Sequence, residues 1–248
     1  MIIDIIGIDC ATQDKKIGLA RGVFVDGRVT VDAAANCARD SSAAKTVAGW
    51  IGGTRPVLIA IDAPLGWPAP MGCALAVHRA GEPIVVKAND LFRRETDRFI
   101  KERIDKQSLD VGADRIARTA HTALRLLGEI GELINEEIGL AWGDLDPRSV
   151  SAIEVYPAAT LTAHGFLATG YKDADATAAR KEILVQLDQA LELPPERTAM
   201  AGNADVLDAV VCLLAARDFL RGEAMRPTDA VTARKEGWIW CRPKGAPP

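Results

Sequence analysis

The sequence predicts an α/β protein, a mixed sheet with helices on both faces and a helical insertion. Three observations predict it. Residues 2–9 (IIDIIGID) and 57–62 (VLIAID) are short β-branched runs, apolar on both faces, as central strands covered on both sides are. Asp26-Gly27 stands between the apolar segments 17–25 and 28–34, a tight-hairpin signal, so strand one runs into an antiparallel meander rather than a crossover helix. After that meander strands and helices alternate, which favours helices layered on a sheet.

The elements follow in order. Ser41 and Ser42 can cap a helix reaching about Ile51, and Gly52-Gly53 can end it. The strand at 57–62 is stopped by Pro64 and the turn residues Gly66 and Pro68. Helical stretches are expected at about 70–80, 90–106 and 113–138, the last with Ile116, Leu124, Leu127, Ile130, Leu133 and Ile134 near a helical period. A strand returns at 152–156 (AIEVY), and Pro157 opens a short helix. A helix runs from about 177 to 191, ended by Pro194-Pro195, and Asn203 caps a long helix over 204–221. GWIWC (237–241) reads as one more strand. The chain is expected to be a single domain, 1–248, with a helical insert at about 67–148.

Composition excludes several classes. The 248 residues carry 30 Lys+Arg against 34 Asp+Glu, a net charge of −4, which excludes a strongly basic coat protein for nucleic acid but not a local basic groove. The apolar run AVVCLLAA (209–216) is far short of the roughly 20 residues that span a bilayer, so no membrane association is expected. MIIDIIGID lacks a basic n-region and reads as a poor signal peptide. Cys10, Cys37, Cys73, Cys212 and Cys241 show neither CxxC nor zinc spacing, and a cytoplasmic, reduced chain is expected. No GxGxxG follows strand one, so a dinucleotide site lacks its phosphate cradle. The sequence leaves the oligomeric state open.

The chemistry is expected from carboxylates. Asp9 and Asp62 end the two apolar strands, and if these are parallel neighbours both acids lie at one sheet edge, where open α/β sheets place their sites. Glu154 lies within a third buried strand. Asp208 fronts a helix without charge from 209 to 216, on a face with Ala204, Asp205, Val211, Cys212 and Ala215, small enough for close approach to the sheet. Converging buried carboxylates repel one another unless a cation compensates. An all-oxygen donor set favours Mg²⁺ or Mn²⁺, and two such ions about 3.5–4 Å apart suit phosphodiester hydrolysis. Each acid also has an ordinary reading: turn hydrogen bonds for Asp9 and Asp62, the helix dipole for Asp205, a buried Arg or Lys partner for Glu154.

Taken together, IGIDCATQDKKIGLA, AIDAPLGWP, RRETDR (93–98), IEVYPAATL, NADVLDAVVCLLAA and GWIWCRP resemble the predicted-nuclease family known as domain of unknown function 429, over residues 5 to about 243. The resemblance implies an RNase H-like fold. A more distant similarity is to RuvC-type resolvases, which place an Asp at the end of strand one, an acid at the end of the fourth strand, and an acid or His three positions before a helical Asp-Ala. Those positions are similar to Asp9, Asp62, Asp205 and Asp208 here, and the lysine-bearing approach to the helix at Thr177 is similar as well. Asp9, Asp62 and Asp208 are the expected catalytic metal ligands, with Asp205 or Glu154 auxiliary. Asp62 departs from the Glu usual there. Within the insert, Arg93, Arg94, Arg98, Lys101, Arg103 and Lys106 alternate with acids; a solvated helix with i,i+4 pairs is one reading, and Arg93 and Arg94 holding a substrate phosphate is the other. Trp67 reads as a base-stacking or a core residue, and His78, His121 and His164 as structural.

Three functions compete. The first is a metal-dependent nuclease acting on RNA or DNA. The second is a non-catalytic binding or scaffold module on the same fold. The third rests on GIDCAT (7–12), similar to the GIDxGT phosphate loop of actin-like and sugar-kinase ATPases, although no second phosphate loop follows.

Overall fold

The structure, a computed structural model, describes all residues except 39, 40, 113, 144, 146–148, 247 and 248. Six strands form one mixed sheet: β1 (Ile2–Asp9), β2 (Gly18–Val25), β3 (Arg28–Asn36), β4 (Val57–Asp62), β5 (Gly139–Leu140) and β6 (Val150–Glu154). Their spatial order is β3-β2-β1-β4-β6-β5. The first three strands are antiparallel neighbours, and β1, β4, β6 and β5 run parallel. A three-strand antiparallel meander is thus followed by parallel strands added at the β1 side. Asp26 and Gly27 turn the hairpin with φ of 50° and 81°, as a two-residue loop between twisted strands requires.

Alternation along the strands divides the core. Ile3 and Ile5 of β1, Leu58 and Ala60 of β4, and Ile153 of β6 enter one apolar layer with α6 (Pro157–Ala163), α7 (Thr177–Leu187) and α9 (Ala204–Leu220). Ile6 and Ile8, Ile59 and Ile61, and Val150 and Ala152 face the opposite layer, built on α1 (Ala43–Trp50) and α5 (Asp114–Ile134). Because side chains repeat every two residues, Asp9 and Asp62 fall on the α9 face and Glu154 on the other. α9 is buried from Val206 to Phe219, and Asn203 caps it by accepting from the N–H groups of Asp205 and Val206. It approaches the sheet backbone to backbone. A Cβ on Gly7 would stand 2.0 Å from the Ala209 carbonyl oxygen, and one on Gly18 2.0 Å from that of Asp205.

Between β4 and β6 lie α2 (Ala69–Ala76), α3 (Ala88–Phe92), α4 (Glu95–Ile104), α5 and the short edge strand β5. The boundary expected at residue 148 falls outside the described residues. The helix expected over 90–106 is broken at Arg93-Arg94, whose extended backbone makes Arg94 the N-cap of α4: its N–H donates to the Asp97 carboxylate at 2.9 Å. α8 (Thr198–Gly202) and α10 (Ala230–Glu236) complete the chain's helices among the described residues.

The strand expected at 237–241 is corrected to an extended segment with a single bridge, Ile239 to Glu154, continued by a 3.0 Å bond from the Trp240 N–H to the Glu154 carbonyl. β5 already pairs with β6 at Ser151 and Ala152, so only its last residue is left for the tail. Just before that segment, the buried Glu236 carboxylate accepts from the N–H groups of Ala69 and Glu95, 2.7 Å each, tying α10 to the starts of α2 and α4.

Candidate metal centre

β1 and β4 pair in parallel register with Asp9 opposite Asp62, and α9 brings Asp208 over both. One carboxylate oxygen from each of Asp9, Asp62 and Asp208 lies within 4.8 Å of the other two. Asp9 and Asp62 are half-buried; Asp208 is 1% exposed. Burial, then the charges of Asp62 and Asp208, holds the Asp9 carboxyl well above the carboxylate range. Burial also pushes Asp62 up to about 7, with Lys172 opposing and Asp208 adding, and a hydrogen bond links it to Asp9. Asp208 is raised by burial against the pull of Lys172. The three acids are mutually unfavourable as anions, the condition a bound cation relieves.

Two residues that the sequence reading gave no role complete this group. Lys172 Nζ lies 2.6 Å from one Asp208 oxygen, and the buried Tyr171 hydroxyl donates to the other at 2.8 Å. The lysine is held protonated by Asp208, Asp62 and Asp9, which outweigh its desolvation. Tyr171-Lys172 sits in a loop just ahead of α7, and the aromatic placed inside an otherwise polar stretch was the available signal.

The neighbouring thiols do not compete as ligands. Cys10 is pushed up to about 12, by burial first and then by Asp9 and Asp62, and Cys212 is raised by burial and the same two acids. Thiolate is the ligating form, so the donor set is carboxylate oxygen alone. Oxygen donors from three elements fit a hard divalent cation.

The remaining expected site residues are placed differently. Asp205 lies one turn before Asp208, half-buried, raised chiefly by burial, and outside the trio whose oxygens converge. Glu154 points away from the trio and is corrected from an auxiliary ligand to an ion-pair partner. Its oxygens accept from Arg94 at 2.6 and 2.8 Å and from the Leu65 N–H at 2.9 Å. Arg94 is corrected too: it is 1% exposed, and its five N–H donors go to Asp97 twice, Glu154 twice and the Glu236 carbonyl. No donor remains for a phosphate. Arg93 keeps a surface position, 30% exposed and bonded to Asp110 at 2.7 Å. Trp67 is half-buried and outside the cavity beside Asp62, while His164 is buried against Asp218 at 2.7 Å, on a different side chain network.

A family model described as "Protein of unknown function (DUF429)" matches residues 7–232. The chain belongs to the DUF429 family. The DUF429 match spans Asp9, Asp62, Arg94, Glu154, Lys172 and Asp208 and stops before the 237–241 segment. No curated protein matches the chain. Among solved structures, "T. thermophilus RuvC in complex with Holliday junction substrate" is similar at 12% identity and a TM-score of 0.32, over 88% of this chain and 97% of that one. A superposition this loose assigns neither a residue nor a substrate to this DUF429 protein. No helix among the described residues is long and apolar enough to cross a membrane.

Proposed function

We propose that this protein is a metal-dependent nuclease that hydrolyses phosphodiester bonds in RNA or DNA. The observation that carries the reading is the convergence of Asp9, Asp62 and Asp208 from two strand ends and a buried helix, with a protonated lysine against them. These three carboxylates would hold Mg²⁺ or Mn²⁺, which when bound supplies Lewis-acid polarisation of a phosphate and a more acidic water.

The chain's own residues do the rest. Tyr171 fixes one oxygen of Asp208 and so orients the side chain, while the other oxygen is paired with Lys172 and would be shared with a bound ion. Lys172 brings a permanent positive charge beside the trio on an otherwise exposed side chain, suited to a non-bridging phosphate oxygen. Arg93 stands at the surface of the insert, where a substrate phosphate can reach it. The net charge of −4 implies that nucleic-acid affinity is modest and falls with salt.

The test joins a melting curve to a cleavage assay. Mn²⁺ should raise the melting temperature, because an ion bound only by the folded chain stabilises it. The Mn²⁺-loaded protein should cut single-stranded or structured oligonucleotides, and Asp9→Asn should lose both effects. Lys172 already compensates Asp208 without any ion, which favours the scaffold reading. Mn²⁺ without effect on melting would decide for that reading and against the nuclease.

A further inference from the structure

Beside the carboxylate trio a cavity of about 340 Å³ opens under the insert, within the range of small-molecule pockets. One end is Asp62 and Lys172. Its walls are Pro64, Leu109, Ile116, Tyr156, Ala158 and Ile239. The floor is Arg94 with Asp97 and Glu154, bonded to each other, so the guanidinium has no donor left for an incoming anion. The cavity is therefore unsuited to a phosphate and suited to an uncharged, flat, largely apolar body whose anionic group stays at the Lys172 end.

Its polar edge is equally specific. The Ser108 hydroxyl donates to Asp97 at 2.9 Å and the Tyr156 hydroxyl to the Gln107 carbonyl at 3.1 Å, which leaves both oxygens as acceptors. An exocyclic amine is the complementary group. Leu109 at the rim is 65% exposed, an apolar side chain in water that a seated ligand would cover. A nucleobase joined to a phosphate has this pattern of apolar faces, N–H edge and tethered anion.

We infer that the cavity receives an unpaired nucleobase next to the phosphate held at the carboxylates, so that the substrate class is single-stranded or locally unpaired nucleic acid. The inference rests on the nuclease reading for its phosphate but not for the pocket itself. A base inside a continuous duplex is stacked and paired, and reaches such a cavity only after extrusion.

Methyl-labelled protein without metal would be titrated with adenosine and, separately, with ribose, at millimolar concentration. Adenosine should shift the Ile116 and Ile239 methyl signals by its ring current, and ribose should not. Ile116→Trp, which fills the cavity, should weaken adenosine at least tenfold. Leu109→Ser, on an exposed position that leaves folding intact, should weaken it several-fold. In the Mn²⁺-loaded enzyme, removing one base from a single-stranded oligonucleotide should suppress cutting at the neighbouring phosphate. Equal responses to adenosine and ribose, or cleavage indifferent to the missing base, would overturn the pocket. Adenosine binding in a protein that cuts nothing would instead overturn the nuclease and leave the pocket standing.

Discussion

Two acidic clusters sit at one edge of the sheet, on opposite faces, and they have been solved in opposite ways. On the far face Glu154 and Asp97 share Arg94, and every donor of that guanidinium is used. Burial still raises Glu154, but Arg94 and the Leu65 N–H pull against it, and Arg94 itself is held firmly protonated by the same two acids. On the α9 face three carboxylates meet one lysine, and all three acids are raised. A planar five-donor cation closes a cluster; a single ammonium reached from a loop leaves it short of charge. The first arrangement is a structural joint. The second is poised for something to arrive.

The comparison is broken most strongly at the joint. Arg94→Ala should cost about 3–5 kcal/mol in urea unfolding, since it strands two buried carboxylates without a cation. A loss of under 1 kcal/mol would mean that water enters and that the cluster is no joint. Next in size is Asp9→Asn, which should lower Mn²⁺-dependent cleavage by more than the roughly hundredfold seen for residues outside the coordination sphere, while leaving urea stability near that of the parent. Parent-like cleavage by purified Asp9→Asn would remove the trio from the chemistry.

Proton linkage sharpens the contrast. Asp62 is raised from 3.8 to about 7 in the folded chain, so the folded state binds this proton more tightly than the unfolded one. Its contribution is complete below the ordinary value and is lost as pH climbs through about 7. The metal-free protein should therefore melt at a higher temperature near pH 5 than near pH 8, and Mn²⁺ should recover more at pH 8. Asp62→Asn should flatten the profile; an unchanged slope in that variant would place the titration elsewhere. The smallest effect belongs to Lys172→Met. Without its ammonium the trio repels more, so the metal-free melting temperature at pH 8 should fall slightly while the Mn²⁺-induced rise grows. A smaller Mn²⁺ response would mean that the lysine helps the ion rather than standing in for it.

Much of this was legible in the residues. Asp9 and Asp62 end apolar strands of the same parity, and that parity sends both toward α9. The same count, applied to Val150, Ala152 and Glu154, places the glutamate on the other face, so its exclusion from the trio was readable too. Arg94 was harder. Among six cations spaced along the insert nothing local distinguishes the buried one, because its partner lies sixty positions away in β6. The lysine-bearing approach to Thr177 is visible in the sequence, but the partner of Lys172 is not, because its contact with Asp208 joins a loop to a helix through the fold and not through any spacing. GWIWC has the composition of a strand, but composition does not show that β5 holds part of the edge it would use.

Glu236 gives the molecule a direction in time. Its carboxylate takes the N–H groups that open α2 and α4, and its carbonyl takes a donor of Arg94. During synthesis the sheet strands and the strand ends that carry Asp9 and Asp62 emerge long before it, and α9 with Asp208 follows. The insert and the Arg94 joint beneath the cavity gain their last partners only when Glu236 and then Ile239 and Trp240, which bond Thr96 and Glu154, have left the ribosome. A chain cut short before that point would carry its three acids without the wall that frames them.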